Sequence, residues 1–235
     1  MNALCFSDAE REAVRRKLQK NNATALYMYA SGLVDFEKEK RISADNVTRT
    51  VGMKMNLLDG VYRGKFKING KPHPITQNLD KGEIYGDFTR KMWANISQFM
   101  NRIKTSTVDL FPVVYPEDPD ATVLAYFLDS KLPALAVKEQ DGYTGIYCGS
   151  KYLSCDVIKE IARFAGCHIY SETDDVVYVN PNYITIHAAS SGTKTIDLPE
   201  KRTVMDAYDG TKLGENTKLI SVPMLKGETK MFRLL

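Results

Sequence analysis

The sequence of 235 residues lacks any apolar run close to the roughly 20 residues that a membrane-spanning helix requires. It also lacks an N-terminal basic segment followed by a long apolar stretch, so no signal peptide is expected and a cytoplasmic location is favoured. The 32 Lys and Arg nearly balance the 29 Asp and Glu, and the two signs are mixed along the chain. We therefore expect neither a membrane nor a nucleic acid as a partner.

Residues that bind metals or cofactors are also scarce. The chain has three histidines and four cysteines, and the cysteines form neither a Cys-x-x-Cys pair nor a zinc-ligand spacing. Neither a Gly-x-Gly-x-x-Gly fingerprint nor a P-loop occurs. We therefore expect four reduced cysteines, no metal and no cofactor.

The first two thirds of the sequence predict an α/β fold. Residues 24–30 are apolar on both faces, which is typical of a central parallel strand covered by helices. Three helices are predicted from their capping residues, from Ser7 to Asn21, from Ser43 to Gly52 and from Ser154 to Gly166. In the first of them, Ala9, Val14 and Leu18 share the apolar face, with Arg11 largely outside it.

Two turn signals predict hairpins. Asn69-Gly70 follows an alternating segment and predicts a type I′ turn, and Asp141-Gly142 separates segments 133–138 and 143–148. Residues 77–107 follow no clear pattern. Because one parallel strand and several hairpins make only part of a doubly wound sheet, we expect an incomplete α/β domain.

Beyond Gly166 the pattern changes to seven short, regularly spaced strand segments without a helix. They are residues 168–171, 176–180, 183–189, 194–198, 203–208, 218–222 and 229–234. This spacing predicts a small antiparallel β-sandwich. The predicted organisation is therefore α/β plus all-β, with an incomplete flavodoxin-like or amidotransferase-like domain over residues 1–166 and a β-sandwich over residues 167–235.

Five blocks of the sequence, taken in order, resemble the C-terminal half of β-galactosidase-like glycoside hydrolases. The most specific block begins with Ala165-Gly166-Cys167-His168-Ile169-Tyr170-Ser171. The full set is 2–4 with 7–11, 27–32 with 43–52, 118–124, 165–171 with 174–180 and 186–188, and 226–234. In that family a catalytic barrel is followed by a trimerisation domain, similar to class I glutamine amidotransferases, and then by a small β-sandwich.

The resemblance implies an assembly region without catalytic residues of its own. The nucleophilic cysteine of an amidotransferase would fall at about Ala30, and an alanine cannot act as a nucleophile. The catalytic barrel, with its two carboxylates, would lie upstream of Met1. The partners implied are further copies of the chain, with a trimer favoured, or such an upstream barrel.

Two alternatives remain open from the residues. A carbohydrate-binding module would use Trp93, Phe99, His168 and Asp174, because aromatic faces stack on sugar rings and polar groups bind hydroxyls. A small-molecule enzyme would use Cys155, at the start of a predicted helix, or His168. The adjacent Asp174 and Asp175 cannot serve as the facing carboxylates of a glycosidase, because neighbouring residues of an extended segment point to opposite sides.

Overall fold

The computed structural model describes residues 3–86 and 109–235, and the chain divides into two units, Met1–Ala165 and Gly166–Leu235. The first unit is mixed α/β and the second is all-β, which confirms the predicted fold class. Among the described residues, no helix has the length and apolar character needed to cross a membrane.

The first unit is built on one mixed sheet. Its described helices are α1 (Asp8–Lys20), α2 (Ala44–Val51) and α3 (Cys155–Phe164). Its described strands are β1 (Thr24–Met28), β2 (Met55–Leu58), β3 (Tyr62–Arg63), β4 (Phe66–Ile68), β5 (Asp109–Leu110), β6 (Val113–Pro116), β7 (Thr122–Phe127), β8 (Pro133–Gln140) and β9 (Tyr143–Cys148). The main sheet has the order β1-β9-β8-β7-β4, while β2–β6 and β3–β5 form separate pairs. Only β1 and β9 are parallel among the described strand pairs.

The predicted helices form where their capping residues indicate. At α1 the Ser7 hydroxyl accepts a hydrogen bond from the Glu10 amide, and the Glu10 carboxylate accepts one from the Ser7 amide at 2.8 Å. At the end of α2, Gly52 takes a left-handed conformation with φ of 75°. These signals involve residues within one turn of each other, so the sequence alone carries them.

Strand β1 lies at the end of the described sheet rather than at its centre, so the prediction of a central strand was wrong. Its apolar character has another cause, because both faces of the sheet are covered. Ala25 and Tyr27 pack in a core with Val47 and Val51 of α2. Leu26 packs against the opposite core, to which α3 contributes. An apolar strand sequence indicates that both faces of the strand are covered. It does not indicate whether the strand lies at the centre or at the edge of its sheet.

The two predicted hairpins have different outcomes. Strands β8 and β9 pair as expected, with Gln140 opposite Tyr143 across a two-residue turn. The hairpin at Asn69-Gly70 was wrong, because β4 pairs with β7 instead of continuing into a neighbouring strand. The Asn69 amide donates to Leu124 O at 2.9 Å, so the expected turn residue joins β7 to the loop.

The second unit contains five strands, where seven short segments were expected. They are β10 (Val176–Val179), β11 (Tyr183–His187), β12 (Gly192–Asp206), β13 (Lys212–Met224) and β14 (Thr229–Leu234), in the order β10-β11-β14-β12-β13. Two of the expected segments are the two halves of β12, which is irregular between Asp197 and Arg202. A third, residues 168–171, is not a strand.

The irregularity in β12 lets this one sheet enclose a core. The second half of β12 pairs with β14, while the first half pairs only with β13. Nevertheless Ile196, from the first half, shares one buried core with Ile186 of β11 and Phe232 of β14. Because residues that are not neighbours in the sheet pack together, the first half of the β12–β13 ribbon lies over the other strands.

A buried ion pair fixes the approach to β10. The side chains of Asp175 and Lys194 are 1% and 3% exposed, and their Oδ1 and Nζ atoms are 2.9 Å apart. Asp175 also accepts hydrogen bonds from Thr173 Oγ1 at 2.6 Å and from the Ala189 amide at 2.8 Å. Burial raises the pKa of Asp175, but the hydrogen bonds from Thr173 and Lys194 outweigh it and leave the pKa lowered.

We expect Lys194→Met to lower the free energy of unfolding by about 3–5 kcal/mol, because it leaves a buried carboxylate without its cation. Adding Asp175→Asn should recover part of this loss, since the amide carries no charge. Urea unfolding measures both changes. Lys212→Met is the matched control, because it breaks an exposed pair with Glu215 and should cost less than about 1 kcal/mol. Equal losses for Lys194→Met and the control would refute the role of burial.

The same pair predicts a dependence on acid. Because the folded pKa of Asp175 lies below the unfolded value of about 3.9, its contribution is present above that pH. The contribution is lost as the pH falls through the folded pKa. The stability of Lys194→Met should therefore fall less steeply below about pH 4 than that of the unchanged protein. Urea unfolding at several pH values measures this. If the stabilities of Lys194→Met and the unchanged protein fell equally steeply below about pH 4, the expectation would be wrong.

Candidate functional site

The candidate site of the α/β unit is the turn that follows β1. Ligands of α/β sheets usually bind at the carboxyl ends of parallel strands, and β1 and β9 both end here. The chain reverses at Tyr29, whose φ of 49° is left-handed although the residue is not glycine. The position expected to match a nucleophile, Ala30, is the next residue along, and it is buried.

The Tyr29 side chain fills this turn with structural contacts. Its hydroxyl donates to Phe111 O at 2.7 Å and accepts from the Phe111 amide at 3.1 Å. The Lys151 ammonium lies 4.7 Å from the centre of its ring and donates to Asp109 O at 2.7 Å. Burial raises the pKa of Tyr29, so the phenol remains neutral at physiological pH.

The other polar groups of the turn are likewise engaged. The Ser31 hydroxyl is buried and donates to Met28 O at 2.9 Å. The Tyr147 hydroxyl donates to Tyr29 O at 2.7 Å, with Val114 O at 3.0 Å. Burial raises the pKa of the Cys148 thiol, at the end of β9, to about 12. None of these groups is a reactive nucleophile near neutral pH.

An ionic network supports the next part of the turn. Arg11 is buried, and its Nη1 atom lies 2.6 Å from Asp35 Oδ2 and 2.9 Å from Asp8 Oδ1. Arg49 also binds both carboxylates. The hydrogen bond from Arg11 outweighs burial and lowers the pKa of Asp35. The hydrogen bond from Lys38 contributes most to lowering the pKa of Asp8 to about 2.

Arg11 was expected outside the apolar face of α1, and that prediction was wrong. It is the buried residue of the helix. Its spacing from Val14 and Leu18 is three and seven residues, which places all three on one face of a helix. The spacing therefore indicated that Arg11 lies on the apolar face. The charge of Arg11 made burial unfavourable unless it had partners, and these lie in α2 and after the turn, where the sequence alone does not identify them.

Gly32 is required where this network meets the turn. Its φ is 74°, and a Cβ atom there would lie 2.0 Å from Thr50 Oγ1. That hydroxyl accepts from Arg11 Nε at 2.9 Å and donates to Asn46 O at 2.8 Å, so it cannot move without breaking buried hydrogen bonds.

The residues proposed from the sequence for ligand binding belong to the all-β unit or lie outside the described residues. Trp93 and Phe99 lie outside them. His168 places its Nε2 atom 2.9 Å from Asp197 O, and its ring meets the Tyr170 ring edge-on at 4.6 Å. Asp174 is exposed in the bend before β10.

The remaining candidate from the sequence is Cys155. It is exposed at the first position of α3. Within residues 3–86 and 109–235, no group of three or more His, Cys, Asp or Glu could hold a metal ion.

Several apolar side chains of the α/β unit lie near one another along the chain segments joined at Val34. Val34 bridges Cys5 on one side and Ile42 on the other, so the three residues lie side by side. Ile42 is 57% exposed, and Phe36, two residues after Val34, is 68% exposed. We call Cys5, Val34, Phe36 and Ile42 the bridge patch.

We expect Gly32→Ala to lower the free energy of unfolding by roughly 2–4 kcal/mol, from the left-handed conformation and the collision with Thr50. Gly70→Ala is the matched control in the same unit. Its φ is 78°, and nothing lies within 4 Å of the added Cβ, so only about 1 kcal/mol should be lost. Chemical denaturation of both variants measures the difference. Losses of the same size would show that the contact with Thr50 is unimportant.

Comparison with known proteins gives structural matches only. No protein-family model and no curated protein match the chain. Among solved structures, it is similar to Gan42B, a GH42 β-galactosidase, at 14% identity and a TM-score of 0.54, over 98% of this chain and 30% of that one. It is also similar to a catalytic mutant of Gan42B from G. stearothermophilus, at 15% identity and a TM-score of 0.55, over 98% of this chain and 30% of that one.

The cold-adapted β-galactosidase from Rahnella sp. R3 is similar at 12% identity and a TM-score of 0.56, over 98% of this chain and 31% of that one. At such identities the similarity concerns the fold. The chain thus shares the fold of a part of GH42 β-galactosidases, and it spans about 30% of their length.

Proposed function

We propose that the chain is a non-catalytic accessory and assembly region of a β-galactosidase-like glycoside hydrolase, with an amidotransferase-like α/β domain that supports oligomerisation. The observation that carries the proposal is the extent of the match, because 98% of the chain corresponds to only about 30% of each β-galactosidase. Such a region completes a larger protein, and catalysis would belong to the remaining part.

The use of buried carboxylates supports the absence of glycosidase chemistry in this region. A glycosidase needs two carboxyl groups roughly 5–10 Å apart across the sugar, one of them able to donate a proton. Asp35 and Asp175 have fully buried side chains, but each is paired with a cation and has a lowered pKa. A lowered pKa keeps a carboxyl group ionised, which is the opposite of what a general acid needs.

The filled turn after β1 supports the same proposal. In an amidotransferase-like fold this turn would present the nucleophile. Here Tyr29 occupies it with three hydrogen-bonded or cation–π contacts, and Ala30 is buried. The turn thus stabilises the fold of the α/β unit.

The bridge patch is the surface that we assign to self-association. Removing exposed apolar side chains such as Phe36 and Ile42 from water lowers the free energy, so a partner that covers them is favoured. Copies of the same chain related by a closed symmetry axis can cover such a patch, and the family resemblance favours three copies.

We expect the purified chain, of 26.5 kDa, to form a closed oligomer, preferably a trimer. Multi-angle light scattering over a concentration series measures this. Phe36→Ser with Ile42→Ser should shift the mass towards that of the monomer at concentrations where the unchanged chain is assembled, because the apolar contact area is lost. The matched control is Tyr208→Ser with Leu225→Ser, since both of these residues are 69% exposed and lie in the other unit.

A folded monomer at all concentrations would overturn the assembly role. If Tyr208→Ser with Leu225→Ser dissociated the oligomer as much as Phe36→Ser with Ile42→Ser, the bridge patch would not be the interface. Hydrolysis of an aryl β-galactoside by the purified chain, abolished by an inhibitor of β-galactosidases, would overturn the non-catalytic assignment.

A further inference from the structure

The all-β unit contains an open pocket beside the irregular part of β12. Its apolar wall includes Tyr170, Pro181, Leu198 and Leu234, which come from four separate segments. Leu198 and Leu234 belong to the buried core, so the base of the pocket is held by the packing of the unit. An apolar depression with a fixed base is the usual setting of a small-molecule site.

The irregularity of β12 supplies the polar rim. Glu200 and Arg202 lie where β12 leaves its regular pairing with β13, and both line the pocket. Arg202 Nη2 donates to Glu200 Oε1 at 2.5 Å, so the two charges are paired. Bulges of this kind re-aim side chains and occur often beside functional sites.

Asn180 completes the rim. Its Oδ1 accepts hydrogen bonds from the amides of Asn182 and Tyr183, both at 2.9 Å. This fixes the side-chain amide, and within the described residues its Nδ2 group donates to no other atom. The rim therefore combines a donor amide, a carboxylate and a guanidinium, which are planar groups that can bind adjacent hydroxyls in pairs.

The charge of the pocket determines the class of ligand. Because Glu200 and Arg202 neutralise each other, the rim offers no net attraction to a phosphate or to an ammonium group. A neutral molecule with one apolar face and several hydroxyls matches an apolar wall and a rim of hydrogen-bonding groups. A pyranose ring has this character, since its axial C–H groups form an apolar face and its hydroxyls lie around its edge.

We propose that this pocket binds a neutral pyranose sugar, with the apolar face of the ring against Tyr170 and Pro181 and its hydroxyls at Glu200, Arg202 and Asn180. The class of ligand follows from the pocket, while the choice of a galactoside as the first probe rests on the proposed function. The site would hold a sugar without cleaving it, because Glu200 is the one carboxylate among the residues that line it.

Saturation-transfer difference NMR on the full chain, with methyl β-D-galactopyranoside and methyl β-D-glucopyranoside in separate samples, tests the proposal. We expect Kd on the order of 1 mM for at least one of them, as is usual for a shallow site and a small ligand. Saturation should be strongest on the ring C–H protons. Arg202→Ala and the conservative Glu200→Gln should each raise Kd about tenfold, the effect of one charge-assisted hydrogen bond.

Lys212→Ala is the matched control, because it removes an exposed cation whose Nζ lies 2.6 Å from a carboxylate oxygen of Glu215 in the same unit, away from the pocket. It should leave Kd unchanged. Binding of either sugar that weakens in both pocket variants and persists in the control supports the proposal. Absence of saturation with both sugars, or binding that Arg202→Ala and Glu200→Gln leave undiminished, overturns it.

The two proposals fail independently. A trimer that binds neither pyranoside would refute the sugar site and leave the assembly role intact. A monomer that binds a pyranoside, with binding weakened by Arg202→Ala, would refute assembly and leave the sugar site intact.

Discussion

The buried guanidinium of Arg11 is the group on which the structure around the β1 turn depends. Its nitrogens reach Asp8 in α1, Asp35 after the turn and Thr50 in α2, so three segments meet at one cation. A charge in the interior is tolerated only when its donors are satisfied, which couples the positions of these segments. The same crowding leaves no space for a side chain at Gly32.

The all-β unit also contains a buried ion pair that joins two segments of the chain. Lys194 and Asp175 join the approach of β10 to the beginning of β12, as the hydrogen bond from Arg11 to Thr50 joins α1 to α2. In both units the buried charges stabilise the fold and are neutralised by their partners. The bridge patch and the rim of the pocket beside β12 lie at the surface, where the proposed association and the proposed ligand binding would take place.

Local features of the fold were predictable because their causes are local. The capping box of α1, the end of α2 at Gly52 and the turn between β8 and β9 each depend on a few neighbouring residues. Asn69-Gly70 did not form the predicted hairpin, because β4 pairs with β7, a strand more than 50 residues away in the sequence. The candidate site was predictable only as a turn without a nucleophile at Ala30. The contacts of Tyr29 with Phe111 and Lys151 join residues more than 80 positions apart.

The sequence by itself determined the fold class, the helix ends and the balance of charge, because these follow from composition and from short-range capping and periodicity. The tertiary structure alone decided that Arg11 is buried, that Asp175 forms a buried ion pair with Lys194, and that residues 192–206 form one strand, β12. The physical reason is that a charged residue can be buried only where a partner from another segment neutralises it. Which segments meet is a property of the folded chain.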